Sequence, residues 1–289
     1  MGTNFFSDIL LPITLGLITL GLGLSIEFRE LKNIFVFPKG VITGLLAQVF
    51  LLPAIAFVIA YLTNLDPIYK VGLIIIAACP GGATSNLVTF MLNGNVALSL
   101  SITVLNSLLS LLTIPLIVSG GLELFLRENT KIHLPIAHTI MNIFLIVIVP
   151  AIIGTSLRRY FREFAINLEK PLRYILPVLL FIVYGGVVFI DEGAETLHLM
   201  DYVELYPYPI LLNALAMGTG WLLSKWVGLK RRNRYTIAVE VGLHNSTLAI
   251  FIAATILGSQ TMAVIPVIYG SFSFFTTWGF GYILKRFTR

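Results

Sequence analysis

Apolar residues in this chain gather into nine blocks, roughly 8–26, 40–62, 68–92, 95–118, 135–157, 174–191, 206–228, 235–257 and 262–284, with short polar connections between them. Each block approaches the roughly 20 residues that a helix needs to cross a bilayer. Glycine and proline interrupt several blocks, which membrane helices tolerate when neighbours satisfy the freed backbone groups. The pattern predicts an all-α polytopic membrane protein with nine transmembrane helices. The connections are too short for an appended soluble domain, so residues 1–289 read as a single membrane domain.

Composition narrows the class further. The chain is 57% hydrophobic and 11% charged, against about 25% charged in ordinary soluble domains. That excludes a soluble enzyme, a disordered chain and a nucleic-acid-binding module. The net charge of +5 is explained by where the basic residues fall. Arg29, Lys32, Lys39, Arg158, Arg159, Arg162, Lys170, Arg173, Lys225, Lys230, Arg231, Arg232, Arg234, Lys285, Arg286 and Arg289 lie on one side of a nine-span alternation, and only Lys70, Arg127 and Lys131 on the other. The positive-inside rule places the amino terminus outside and the carboxyl terminus in the cytoplasm. The expected location is a plasma membrane, the inner membrane of a bacterium. No Lys or Arg precedes the first block, which weighs against a cleaved signal peptide. Cys79 has no second cysteine to pair with and reads as a small hydrophobe. The expected partners are the lipid bilayer and a small organic anion substrate, with no nucleic acid, and the chain reads as a monomer.

Polar residues inside the blocks point to chemistry. Of 14 acidic residues, Glu240 alone stands well inside an apolar block. Such a charge costs about 2.5–3.5 kcal/mol on insertion scales, and acids so placed face a cavity and a partner. A bland alternative is a boundary glutamate paired with Arg234. Glu240-Val241-Gly242-Leu243-His244-Asn245-Ser246-Thr247 gathers acid, imidazole, amide and hydroxyls in eight residues. A second cluster, Cys79-Pro80-Gly81-Gly82-Ala83-Thr84-Ser85-Asn86, interrupts the third block. Its Pro80 removes a backbone donor, and its glycines let the chain unwind. The third block and the eighth run in opposite directions across the membrane, and matched interruptions of this kind mark the binding site of a transporter. Half-helix amino termini there favour an anion, and the unwound carbonyls are left for cations. Ser99, Thr103, Asn106 and Ser110 form one stripe of the fourth block, open to ion binding or to helix packing. Gln48 and Asn213 carry the same ambiguity. Gly16, Gly21 and Gly23 read as close helix contacts.

The run 79–86 together with Asn93-Gly94-Asn95-Val96-Ala97-Leu98-Ser99, and Glu240-Val241-Gly242 followed by Asn245-Ser246, resembles the signatures of the bile acid:sodium symporter family. Gly21-Leu22-Gly23-Leu24 and the stretch from Pro38 to Gln48 fit the same family. The resemblance implies two inverted five-helix repeats, a panel domain and a core domain with two crossed, interrupted helices. This chain would lack the first helix of the first repeat, leaving repeats at about 8–118 and 135–285. It further implies symport of an organic anion, a bile acid or a small carboxylate such as a keto acid or pantoate, driven by sodium ions through alternating access.

Sodium ligands carry over by position. The first site would use Ser85, Asn86, Ser99, Thr103 and Glu240, an oxygen set that suits a small hard cation. The second would use Gln48, Glu240, the carbonyls of Val241 and Leu243, and the residue at His244. The family usually has glutamine there, whereas neutral imidazole offers nitrogen, which suits zinc or copper better than sodium. The substrate would meet Ala83, Thr84, Asn245 and Ser246, with Ala83-Thr84 reversing the family's usual Thr-Ala. Besides a passive channel or sensor, two other functions compete. One is a proton-coupled carrier of the same fold using Glu240 and His244. The other is an intramembrane hydrolase using His244 with Ser85 or Ser246, which no nucleophile motif supports.

Overall fold

A computed structural model describes residues 5–25, 36–126, 136–189 and 199–287. Arg29, Lys32, Arg127, Lys131 and Arg289, and the side chains of Ala83 and Arg173, lie outside the described residues. Among the described residues there is no strand. The helices are α1 (Leu11–Ser25), α2 (Pro38–Leu46), α3 (Leu52–Leu62), α4 (Pro67–Ala78), α5 (Ala83–Met91), α6 (Val96–Leu126), α7 (Ile136–Ile143), α8 (Val149–Tyr160), α9 (Arg162–Phe189), α10 (Pro207–Trp226), α11 (Arg231–Gly242), α12 (Ser246–Ile250) and α13 (Gln260–Phe287). Wider π turns at Ala47–Leu51 and Phe144–Ile148 join α2 to α3 and α7 to α8, and another, Phe251–Ile256, extends α12.

Local chemistry accounts for several starts. Proline stands in the first turn of α2, α4 and α10, where its missing N–H is no loss. Asp66 caps α4 by accepting from the Ile68 N–H at 3.0 Å. Among the described residues five runs are long and apolar enough to cross a membrane by length and composition: Pro38–Leu62, Val96–Leu126, Ile140–Tyr160, Arg231–Ile256 and Gln260–Arg286. The Arg231–Ile256 run is the most enclosed, with 94% of its apolar window buried. It is the centre of the fold, and a glutamate placed in it is an interior glutamate.

Contacts sort the helices into two groups. In one, α1 packs on α8 and α9. In the other, α4, α5, α6, α10 and α13 surround α11 and α12, with α2 and α3 laid against α6 and α10. Glycine permits the closest approaches, as expected of helix pairs in lipid. A Cβ on Gly23 would run into the backbone of Ala151, and one on Gly154 would meet Leu24 N at 2.8 Å, so α1 and α8 touch backbone to backbone. Gly16 and Gly21 sit on the same helix, facing Ile146 and Leu176. All three glycines are helix contacts, as their sequence pattern predicts.

Candidate functional site

Both predicted interruptions are present. The first separates α4 from α5 at 79–82, and the second separates α11 from α12 at 243–245. They meet. The Asn245 N–H donates to Pro80 O at 2.9 Å, a carbonyl freed because the helix stops there, and His244 Nδ1 stands 3.2 Å from Cys79 O. Asn245 Oδ1 accepts from the Leu248 N–H at 3.0 Å and so caps α12. At its far end α5 leads into a turn at Asn93–Asn95 that hydrogen-bonds to the start of α11. With breaks touching and these ends touching, the two broken helices run in opposite directions.

Glu240 lies on the last turn of α11 and is fully buried. Ser99 donates to its Oε2 at 2.6 Å, and Thr103 donates to its Oε1 at 2.5 Å. These two hydroxyls stand one turn apart on α6, so the predicted stripe delivers both to one carboxylate. Thr89 of α5 donates to Ser99 Oγ at 3.4 Å. Asn86 reaches Thr103 Oγ1 and Gly82 O only at 3.5 Å, while its own Oδ1 is buried without a partner. Ser85, also buried, donates to Gly82 O at 2.8 Å. All five residues carried over for the first cation site therefore lie on α5, α6 and α11, with Ser99 and Thr103 on the Glu240 carboxylate and Asn86 at Thr103. Arg234 is not the partner of Glu240, since its guanidinium donates to Leu229 O.

Gln48 sits in the Ala47–Leu51 π turn, where an extra residue re-aims a side chain. Its Nε2 donates to the backbone carbonyl of Glu240 at 2.7 Å, and its Oε1 accepts from Asn106 at 2.9 Å. Asn106, which the sequence offers only as one member of a stripe, thus orients Gln48. His244 is 4% exposed. Because Nδ1 faces a carbonyl it must be the donor, which leaves Nε2 as a lone pair, buried and without a partner. The carbonyl of Gly242 accepts from Asn213 and from Tyr269, each at 2.7 Å. Neither of these last two was legible as a pair, because α10 and α13 meet only in the fold. Of the residues carried over for the substrate, Thr84 is exposed, Asn245 partly so and Ser246 buried. Cys79 is a free, buried thiol, as its reading as a small hydrophobe requires.

Comparison with known proteins identifies the family and several relatives of the chain. Residues 12–197 match the sodium bile acid symporter family. Over 250 residues the chain is 29% identical to a probable sodium/metabolite cotransporter of Arabidopsis thaliana chloroplasts, an alignment covering 85% of this chain and 59% of the relative. It is 29% identical over 245 residues to an uncharacterized sodium-dependent transporter of Bacillus subtilis, covering 84% of this chain and 73% of that one. The ileal sodium/bile acid cotransporter of Cricetulus griseus is 25% identical over 267 residues, with 91% and 74% covered. The chain spans less than two thirds of its plant relatives, 59% and 58% of their lengths.

Proposed function

This chain belongs to the sodium bile acid symporter family, and from that premise we propose that it couples the inward movement of sodium to the symport of an organic anion by alternating access. Its relatives are transporters rather than enzymes, which removes the hydrolase reading. The observation that carries the proposal is a buried carboxylate, Glu240, held by two hydroxyls and by no lysine or arginine among the described residues, with the Asn86 amide reaching one of those hydroxyls, Thr103, through its nitrogen while its oxygen lacks any partner. A buried acceptor left unsatisfied costs about 1–3 kcal/mol. A small cation among Ser85, Asn86, Ser99, Thr103 and Glu240 would relieve that cost and neutralise the carboxylate. The hydroxyls are ready for it: Thr103 Oγ1 has a second acceptor in Ser99 O at 3.1 Å, to which its proton turns when a cation takes its lone pair.

A second cation would sit between Gln48, Glu240, His244 and the carbonyls of Val241 and Leu243. Gln48 Oε1 supports this only in part, being already engaged by Asn106, and His244 contributes nitrogen, so this site binds sodium more weakly than the first. The anion would lie beside Ala83, Thr84, Asn245 and Ser246, at the amino-terminal end of α5, whose dipole favours negative charge. We assign α1, α7, α8 and α9 to the moving panel and the remaining helices to a core, in nine membrane spans with repeats at about 8–118 and 135–285. The grouping of contacts and the opposed broken helices support that division.

Proteoliposomes carrying the full chain test the reading directly. Under an inward sodium gradient, radiolabelled pyruvate, pantoate and a bile acid are offered in turn, with choline or potassium as the control cation. At least one probe accumulates above equilibrium with sodium and none does with choline or potassium. Undiminished uptake in sodium-free vesicles driven by a pH gradient overturns the sodium reading in favour of proton coupling.

A further inference from the structure

The turn between α5 and α6 is fastened to the start of α11 by a set of hydrogen bonds that the proposed ligand set does not use. The Asn95 N–H donates to Thr236 Oγ1 at 2.9 Å, and Thr236 donates its own proton to Arg232 O at 2.8 Å. Asn95 Nδ2 donates to Asn233 Oδ1 at 3.0 Å, Arg232 to Gly94 O at 2.9 Å, and Tyr235 to Asn93 O at 2.9 Å. Asn95 Oδ1 meanwhile accepts from the Leu98 N–H at 3.2 Å and caps α6. The packing is tight as well as polar. A Cβ on Gly94 would come within 2.7 Å of Thr89 Cγ2 and 2.8 Å of Thr236 Oγ1, so only glycine lets the turn seat this closely. Thr236 is fully buried, and both roles of its hydroxyl are filled.

From this point α6 and α11 run side by side in the same direction. One turn beyond Asn95 stands Ser99, and one turn beyond Thr236 stands Glu240, joined at 2.6 Å. A slip of α6 against α11 by a single residue is about 1.5 Å, enough to break that bond and the Thr103 bond one turn further on. We infer that Thr236 and Asn95 are positioning residues for the cation site: their bond sets the register that brings Ser99 and Thr103 onto the Glu240 carboxylate. The inference rests on the sodium reading above, because it concerns the site that reading assigns.

The test is equilibrium binding of radiolabelled sodium to the purified full chain, with the sodium-free melting temperature measured alongside. Thr236→Val keeps the shape of the side chain and loses both hydrogen bonds. It raises the half-saturating sodium concentration about fivefold, the size expected for the one of the two bonds that joins α11 to the turn before α6, with no change in the amount bound at saturation. Thr236→Ser keeps both bonds and returns binding to the natural value. Thr63→Val removes a similar hydroxyl, bonded to Ile59 O at the end of α3, and leaves sodium binding unchanged. A Thr236→Val chain that melts earlier but binds sodium with unaltered affinity overturns the positioning role and leaves the sodium reading standing. Absence of sodium binding in the natural chain overturns both. Should Thr236→Val not fold, Asn233→Ala loses only the bond from Asn95 Nδ2. It shifts half-saturation in the same direction by about twofold, and an unshifted value overturns the inference equally.

Discussion

Glu240 meets hydroxyls where a glutamate in a salt bridge would meet a guanidinium, and this difference fixes what its removal should do. In the proposed site the carboxylate is the one full negative charge opposite the cation. Two unit charges about 4 Å apart attract by roughly 4 kcal/mol at an effective dielectric of 20, a factor near a thousand in affinity. Glu240→Gln keeps the shape and one oxygen and removes that attraction. We expect sodium binding by the purified chain to fall out of the measurable range while expression and melting temperature hold or rise, because a buried charge has been removed. Retained sodium binding in Glu240→Gln would mean that the hydroxyls serve packing alone. Much of this site was legible residue by residue: an acid in an apolar run, hydroxyls at helical spacing, amides beside a Pro-Gly-Gly break. What was not legible is pairing across helices. Asn106 holding Gln48, and Asn213 with Tyr269 holding the Gly242 carbonyl, each join residues from distant parts of the chain. No spacing rule within one helix reports such pairs.

Elements show the same division between what hydropathy encodes and what packing decides. The breaks at 79–82 and 243–245 were predictable because proline, glycine and clustered polar residues disrupt the helical ladder in place. The π turns at Ala47–Leu51 and Phe251–Ile256 were not, since inserting one residue into an apolar helix leaves its composition unchanged. Gln48 lies in the first of these, so the feature that aims its side chain was invisible while the side chain itself was not. The glycines of α1 were readable as contacts, and the structure supplies their partner. At Gly23 the obstacle to a Cβ is the backbone of Ala151, which cannot rotate away as a side chain would. Gly23→Val therefore forces α1 and α8 apart, at about 1–3 kcal/mol or more for overpacking of this kind. The expected result is a melting temperature in detergent lowered by several degrees. Gly218, inside α10, where a Cβ would meet nothing within 4 Å, provides the comparison: Gly218→Ala should melt no lower than the natural chain, since alanine favours the helix. Equal melting of Gly23→Val and the natural chain would show that the crossing yields at little cost.

At the scale of the whole molecule, two independent observations bear on how the chain is threaded. The first is the distribution of basic residues, which sets 16 of the 19 on one side of a nine-span alternation, including Lys230, Arg231, Arg232 and Arg234. The same alternation places the turn at Asn93–Asn95 on that side, because the third block runs from outside to inside. The second is the hydrogen bonding of that turn to Arg232, Asn233, Tyr235 and Thr236. An error of one span between residues 95 and 230 would put these groups on opposite faces of the membrane, about 30 Å of hydrocarbon apart. The bonds therefore support an alternation that hydropathy and charge proposed without them. They do not choose which face is which; the basic residues do, through the positive-inside rule. The prediction is an amino terminus outside and a carboxyl terminus in the cytoplasm. With Cys79→Ala as background, Asn64→Cys in the exposed connection between α3 and α4 should react with a membrane-impermeant maleimide added to intact cells. Lys230→Cys, exposed before α11, should react only after the membrane is opened. The reverse pattern would invert the assigned orientation. Labelling of both sites in intact cells would break the alternation itself, since the two connections would then lie on one face.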